Sequence, residues 1–320
     1  MKHSLRPLPF RILPWLVLPL FLAGWSYCDN IVYFTPKGKV DQVIERYLGT
    51  ARREVLVANY HLSDQRIGSL LVRLSKRPGT TVRVILDEPP PPGLLRSLGT
   101  SVHVKQAKSS LFHVKVILID GKLLLTGSAN LTTDHFTRNH NTLLVLDDPG
   151  LIETYRRKFF DWWDGSSFER IYRSGKYEAY FSPETDSETV IIGLINAARK
   201  SLRFAEFDFT AERIAEAMVR RRLAGVDVAG IIERTKVFPY STTAYLRDFD
   251  VPVRASNLSG LLHDKFLVID GTIVVTGSYN LSASAHRNTE TVLVIRDERL
   301  AGQFLKEWNE LWRWYALPSD

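Results

Sequence analysis

Cysteine is nearly absent from this chain of 320 residues. Cys28 stands alone, so no intrachain disulfide can form. Nowhere do Asp, Glu, Cys and His gather at the short spacings that hold a metal, so neither a metal nor another cofactor is expected. The N-terminal apolar run, uncharged from Ile12 to Cys28, falls short of the roughly 20 residues of a membrane-spanning helix. It also contains Pro14 and Pro19. Acidic residues are outnumbered 35 to 42 by Lys and Arg, for a formal net charge of +7. Such an excess suits an anionic partner, nucleic acid or an acidic lipid surface. With 45% hydrophobic and 24% charged residues, the composition is that of an ordinary globular protein.

Lys2, Arg6 and Arg11 precede the apolar run, giving a basic region followed by a hydrophobic one. Residues 1–28 are therefore expected to act as a signal peptide or a retained N-terminal anchor. The protein would then be exported: secreted, periplasmic or membrane-associated. Cys28 occupies a place where lipidation occurs, but the bulky Tyr27 before it does not suit that signal.

Beyond Asn30 one pattern is written twice. IVYFTP at Ile31 is matched by EAYFSP at Glu178, EVLVANY at Glu54 by LRFAEFD at Leu202, and TTVRVILDE at Thr80 by VDVAGIIE at Val226. Helical i, i+3, i+4 patterns separate these strands, and Gly79 and Gly225 end the second helix of each set. Each half closes with an aromatic-rich helical run carrying Tyr155, Phe159 and Trp162, or Phe304, Trp308 and Trp312, a stripe that reads as core. The predicted fold class is α/β, two tandem αβ units, each a mixed β-sheet flanked by helices. The first unit covers 29–164, a connector 165–176, and the second unit 177–320.

The most informative stretch is FHVKVILIDGKLLLTGSANLT, from Phe112, with its counterpart LHDKFLVIDGTIVVTGSYNLS, from Leu262. His113 and His263 lie 150 positions apart. Asp-Gly between apolar β-branched runs predicts a tight hairpin in each copy. On a strand, residues two apart share a face, so His113 sits beside Lys115 and His263 beside Lys265. A histidine and an ammonium make a poor core face, because burying an unpaired charge is costly. They make a good phosphate site: the lysine binds an oxygen, and the histidine attacks or moves a proton. The T-G-S-x-N tail adds a hydroxyl and amides that can donate to an oxyanion. Asp120 and Asp270 fall on the opposite strand parity to their histidines, where the turn by itself can account for them.

These stretches resemble the paired HxKxxxxD(x6)GSxN motifs of the phospholipase D superfamily. The matching positions are His113, Lys115, Asp120, Gly127, Ser128 and Asn130, then His263, Lys265, Asp270, Gly277, Ser278 and Asn280. The resemblance implies two units related by a pseudo-twofold, hence a monomer that is an internal pseudo-dimer. It implies metal-independent cleavage or transfer of phosphodiesters, with the His, Lys and Asp residues catalytic. The Ser and Asn residues would bind phosphate or support the residues that do. One histidine attacks phosphorus to give a phosphohistidine, and the other protonates the leaving oxygen.

Family members commonly hold each catalytic histidine with an acidic residue or amide after the motif. The second copy offers Glu290, the first Asn141. If each serves the histidine of its own half, the carboxylate favours protonated His263 as the acid. His113 is then the nucleophile, the usual place for it in the superfamily. The favoured substrate is a phospholipid, in keeping with the export signal and a possible membrane surface. A secreted or periplasmic endonuclease acting on DNA or RNA is the alternative, suited by compact size and basic charge. A phosphatidyltransferase such as a cardiolipin synthase is a second alternative, and a catalytically inert binding module is opposed by two complete motifs. Loops at Glu88–Gly93 and Arg234–Thr243, with Lys236, Phe238 and Tyr240, are placed to meet the substrate.

Overall fold

The computed structural model describes residues 30–104, 110–238 and 241–315. The expectations for residues 1–28, Cys28 included, and for Tyr240 lie outside these residues. The first half contains β1 (Ile31–Phe34), α1 (Val40–Gly49), β2 (Glu54–Asn59), α2 (Gln65–Ser75), β3 (Thr81–Leu86), α3 (Pro92–Leu98), β4 (Val102–Val104), β5 (Lys115–Ile119), β6 (Leu123–Gly127), α4 (Thr133–Thr137), β7 (Thr142–Leu146) and α5 (Pro149–Asp164). The second half contains β8 (Tyr172–Arg173), β9 (Tyr177–Ser182), α6 (Ser187–Ala197), β10 (Ser201–Glu206), α7 (Glu212–Leu223), β11 (Asp227–Ile232), α8 (Thr242–Asp248), β12 (Val253–Ala255), β13 (Lys265–Ile269), β14 (Ile273–Gly277), β15 (Glu290–Arg296) and α9 (Glu298–Trp314).

The strand orders are β1-β7-β6-β5-β2-β3-β4 and β12-β11-β10-β13-β14-β15-β9-β8. Apart from β8, the second order is the first reversed, as duplication of one unit requires. Both sheets are mixed. β2–β3–β4 and β10–β11–β12 run parallel, joined through helices, whereas the motif hairpins are antiparallel. The turn residues Asp120, Gly121, Asp270 and Gly271 all have φ between 52° and 71°, the left-handed values a two-residue hairpin turn demands. The segment read as a bare connector contains β8, which pairs with β9 through Tyr172 and Ala179.

Strand alternation sorts the core into layers. Val55, Val57, Ile117 and Ile119 face outward onto α1 and α2, through Val43, Ile44, Ile67 and Leu71. Leu56, Ala58, Val116 and Leu118 face inward, into one cluster shared by both halves. That cluster takes in Tyr155 and Phe159 of α5 and Phe304 and Trp308 of α9, so the aromatic stripe is core as read. α6 and α7 cover the outer face of the second sheet. Helix starts are tied by aspartates. Asp64, Asp148, Asp186 and Asp297 each accept at least one backbone N–H of the first turn.

Candidate active site

Two short parallel bridges cross between the halves and place both histidines. Phe112 pairs with Thr289, and His140 with Leu262. The His113 N–H donates to the Thr289 carbonyl at 2.9 Å, and the His263 N–H to the His140 carbonyl at 2.8 Å. Each histidine therefore lies next to the residue that follows a bridge in the opposite half. His113 Nδ1 is 3.0 and 3.1 Å from the two carboxylate oxygens of Glu290. His263 Nδ1 is 2.9 Å from Asn141 Oδ1. The own-half pairing expected from the sequence is wrong: the partners are exchanged across the seam. The physical reason is backbone register, which sequence spacing within one repeat does not carry.

The serines of the motif serve these partners. Ser278 Oγ donates to Glu290 Oε2, and Ser128 Oγ to Asn141 Oδ1 at 3.3 Å. Each serine also accepts a backbone N–H from the closing strand, Thr291 or Thr142. The glycine before each serine permits that approach, since a Cβ on Gly127 would stand 2.1 Å from the Thr142 carbonyl oxygen. Asn141 is locked the right way round. Its Nδ2 donates to Thr35 Oγ1 and the His135 carbonyl, which leaves Oδ1 to accept from His263.

Lys115 and Lys265 are almost completely buried, each with Nζ donating to the carbonyl of its own histidine. Burial pushes Lys265 down to about 8 and Lys115 well below its ordinary range. The register adds an asymmetry. Lys265 lies opposite Glu206, and Lys115 opposite the neutral Asn59. Burial drives the Glu206 carboxyl well above the usual carboxylate range, with Lys265 opposing. Burial also lowers both histidines. Glu290 counteracts it at His113, whereas His263 has no carboxylate and falls further, with Lys265 adding to the depression.

Asp120 and Asp270 are not at this site, contrary to the catalytic role the motif suggested. They lie in the turns, at the far end of the hairpins. Asp120 accepts the backbone N–H groups of Arg52, Arg53 and Glu54. Asp270 accepts those of Arg199, Lys200 and Ser201. Both carboxyls sit below the usual range, because these donors outweigh partial burial. Their work is to fasten the turn before β2 and β10.

Sequence reading missed several residues here. Tyr60 lies 5.6 Å from the His113 ring and 5.5 Å from Lys115 Nζ. Phe207, its equivalent in the repeat, lies 4.9 Å from His263 and 5.1 Å from both Lys265 and Lys236. A large aromatic ending each polar-terminated strand, NY and EFD, was the available signal. His135 packs edge-on against His263, with centroids 4.6 Å apart. Asp87 and Glu233, at the ends of β3 and β11, are spent on backbone. They accept the N–H of Phe112 and Leu262, the residue before each histidine.

Comparison with known proteins bears on the family and the fold. The family model described as "Cardiolipin synthase, PLD-like domain" matches twice, over residues 44–163 and 191–312. A phospholipase D of Rickettsia felis is 25% identical over 207 residues, 64% of this chain and 96% of its own. The mitochondrial cardiolipin hydrolase of Xenopus laevis is 34% identical over 137 residues, 42% of this chain and 65% of its own. The crystal structure of phosphatidylserine synthase from Haemophilus influenzae superposes with a TM-score of 0.69 at 16% identity. It covers 89% of this chain and 87% of that one, a likeness of fold. Two motif copies, each completed by the other half, and a family match over both repeats lead to one assignment: the chain belongs to the phospholipase D superfamily and is a phosphodiesterase.

Proposed function

We propose that this protein hydrolyses phospholipids as a phospholipase D-type enzyme, through a phosphohistidine on His113. The observation that carries the mechanism is the exchanged pair. A phosphodiester needs a nucleophile on one side of phosphorus and an acid on the other. Crossing by itself would reverse the roles, since a carboxylate makes His113 the easier residue to protonate. The covalent intermediate decides otherwise. An imidazole bonded to phosphorus at Nε2 and protonated at Nδ1 is a cation, and Glu290 stands at that Nδ1. Asn141 supplies no charge to His263. His263, once protonated on Nε2, is thus the readier donor.

In the first step the His113 Nε2 lone pair forms the N–P bond, the P–O bond to the leaving group breaks, and the His263 Nε2 proton goes to that oxygen. In the second, His263 takes a proton from water, whose oxygen bonds phosphorus as the N–P bond breaks. Lys115 and Lys265 offset charge on the non-bridging oxygens. The phospholipid reading is supported by relatives named for phospholipid hydrolysis. It is also supported by the aromatic walls Tyr60 and Phe207 and by the exposed Phe238 beyond Lys236. Export by residues 1–28 would suit such a substrate. A nuclease reading draws on the net charge of +7. The test is the purified protein in excess EDTA, given phosphatidylcholine, cardiolipin, and single- and double-stranded DNA in parallel. Lipid turnover with intact DNA is expected. DNA cleavage without lipid turnover, or activity only with added divalent metal, would overturn the proposal.

A further inference from the structure

His135 has no counterpart in the second half, where the position 150 residues on is Ala285. It lies in α4, whose N-cap Thr132 accepts the His135 backbone N–H. Its ring is surrounded by more hydrogen-bonding options than it can use. Nδ1 is 3.3 Å from the backbone N of Asn130 and 3.2 Å from Asn141 Oδ1, and Nε2 is 3.3 Å from the Asn130 side-chain amide. A neutral imidazole has one N–H and one acceptor. If Nδ1 donates to Asn141, it cannot accept from Asn130.

Valence accounting separates the two tautomers. Asn141 Oδ1 already accepts from His263 and Ser128, which fills its two lone pairs. The Asn130 backbone N–H can only donate, and Nδ1 is an acceptor within its reach. Asn130 Oδ1, meanwhile, is buried without a partner. Such an orphan is costly in a folded protein. Turning the Asn130 amide over removes it. Oδ1 then accepts from His135 Nε2–H while Nδ1 accepts from the Asn130 N–H. Asn130 is clasped at two points, and its two amide N–H groups move to the position of the former orphan. Placed there, they can donate to an anionic oxygen of the substrate.

We propose that His135 is a positioning residue: as the neutral Nε2–H tautomer it holds Asn130 with its amide donors turned to the phosphate of the substrate. This rests on the phosphodiesterase reading above. Burial keeps the imidazole neutral across the physiological range, with a pKa of about 3. Asn280, the second-half asparagine, also has a buried unpartnered Oδ1, but Ala285 offers it no ring. The clasp is therefore confined to the first half.

Two measurements test this. In long-range 15N–1H spectra of the full chain at neutral pH, His135 is assigned through its own backbone correlations. It should show a protonated Nε2 and an accepting Nδ1. The Nδ1–H tautomer would overturn the proposal whatever the substrate proves to be. Second, inorganic phosphate is used as a competitive inhibitor. His135→Ala should raise its inhibition constant about tenfold. His135→Gln, which can still donate to Asn130, should recover most of that, and His135→Ala should add nothing in an Asn130→Ala background. Additive effects of the two substitutions, or no recovery with Gln, would reduce His135 to packing.

Discussion

Glu290 holds Nδ1 of His113, a residue 177 positions earlier in the chain and in the other half of the molecule. Asn141 holds His263 in the same crossed fashion, over 122 positions. Each half thus supplies a histidine and a lysine, together with the group that orients the other half's histidine. Neither repeat contains a finished site, although each contains a full motif.

The crossing predicts which histidine feels Glu290. In Glu290→Gln the His113 titration, followed by NMR, should move to lower pH, because the opposing carboxylate is gone. His263 should hardly move. The same variant should lose about 10²-fold in kcat, since charge at Nδ1 matters most in the transition state. A shift confined to His263 would restore the own-half pairing.

The lysines predict a pH dependence. Burial brings Lys265 to about 8 from 10.5, so its charged form prevails below that value and is lost above it. Under the proposed mechanism, phosphate binding requires the charge. Affinity for inorganic phosphate should therefore fall as pH rises through 8 and beyond, and binding near pH 8.5 should take up a proton. Calorimetry in buffers of different ionisation enthalpy reads that proton directly. Binding without uptake at that pH would mean that the lysine is already fully charged.

Lys115→Ala or Lys265→Ala should each lower kcat by about 10²-fold or more, with KM less affected. Turnover near that of the wild type in either variant would make its hairpin scaffold only.

Asp120→Asn separates fastening from catalysis. The carboxylate binds three backbone N–H groups, so weakening it should cost about 1–2 kcal/mol of stability, read as a drop in Tm. Its folded pKa is depressed. The stabilisation is therefore present above the unfolded value of about 3.9 and is lost as pH falls through the folded one. kcat at a temperature where both proteins are folded should be unchanged. A large fall in kcat at unchanged Tm would return Asp120 to the active site.

Much of this was legible beforehand, for a local reason. Strand alternation, Asp-Gly turns and helix spacing are properties of a few neighbouring residues. They located the hairpins, the aromatic core of α5 and α9, and the His–Lys pairs. What escaped was set by contacts between distant segments. Glu290 and Asn141 each lie one residue beyond their bridges at Thr289 and His140, and nothing within a repeat says that the bridges cross. Asp120 and Asp270 look catalytic in the motif because it records their spacing and not their direction. Parity pointed away from the histidines, and the structure follows parity. His135 was hidden because only one copy has it, outside the pattern that the two copies share.

Whether the exchanged carboxylate makes His113 the nucleophile is read most directly by trapping the intermediate. A p-nitrophenyl phosphodiester needs little protonation of its leaving group, so the covalent step should outrun the second. Acid-free quenching and mass spectrometry of the wild type should place the phosphoryl group on His113. His263→Ala should still give a burst of p-nitrophenolate, and His113→Ala none. An adduct on His263, or a burst that survives in His113→Ala but not in His263→Ala, would make His263 the nucleophile instead.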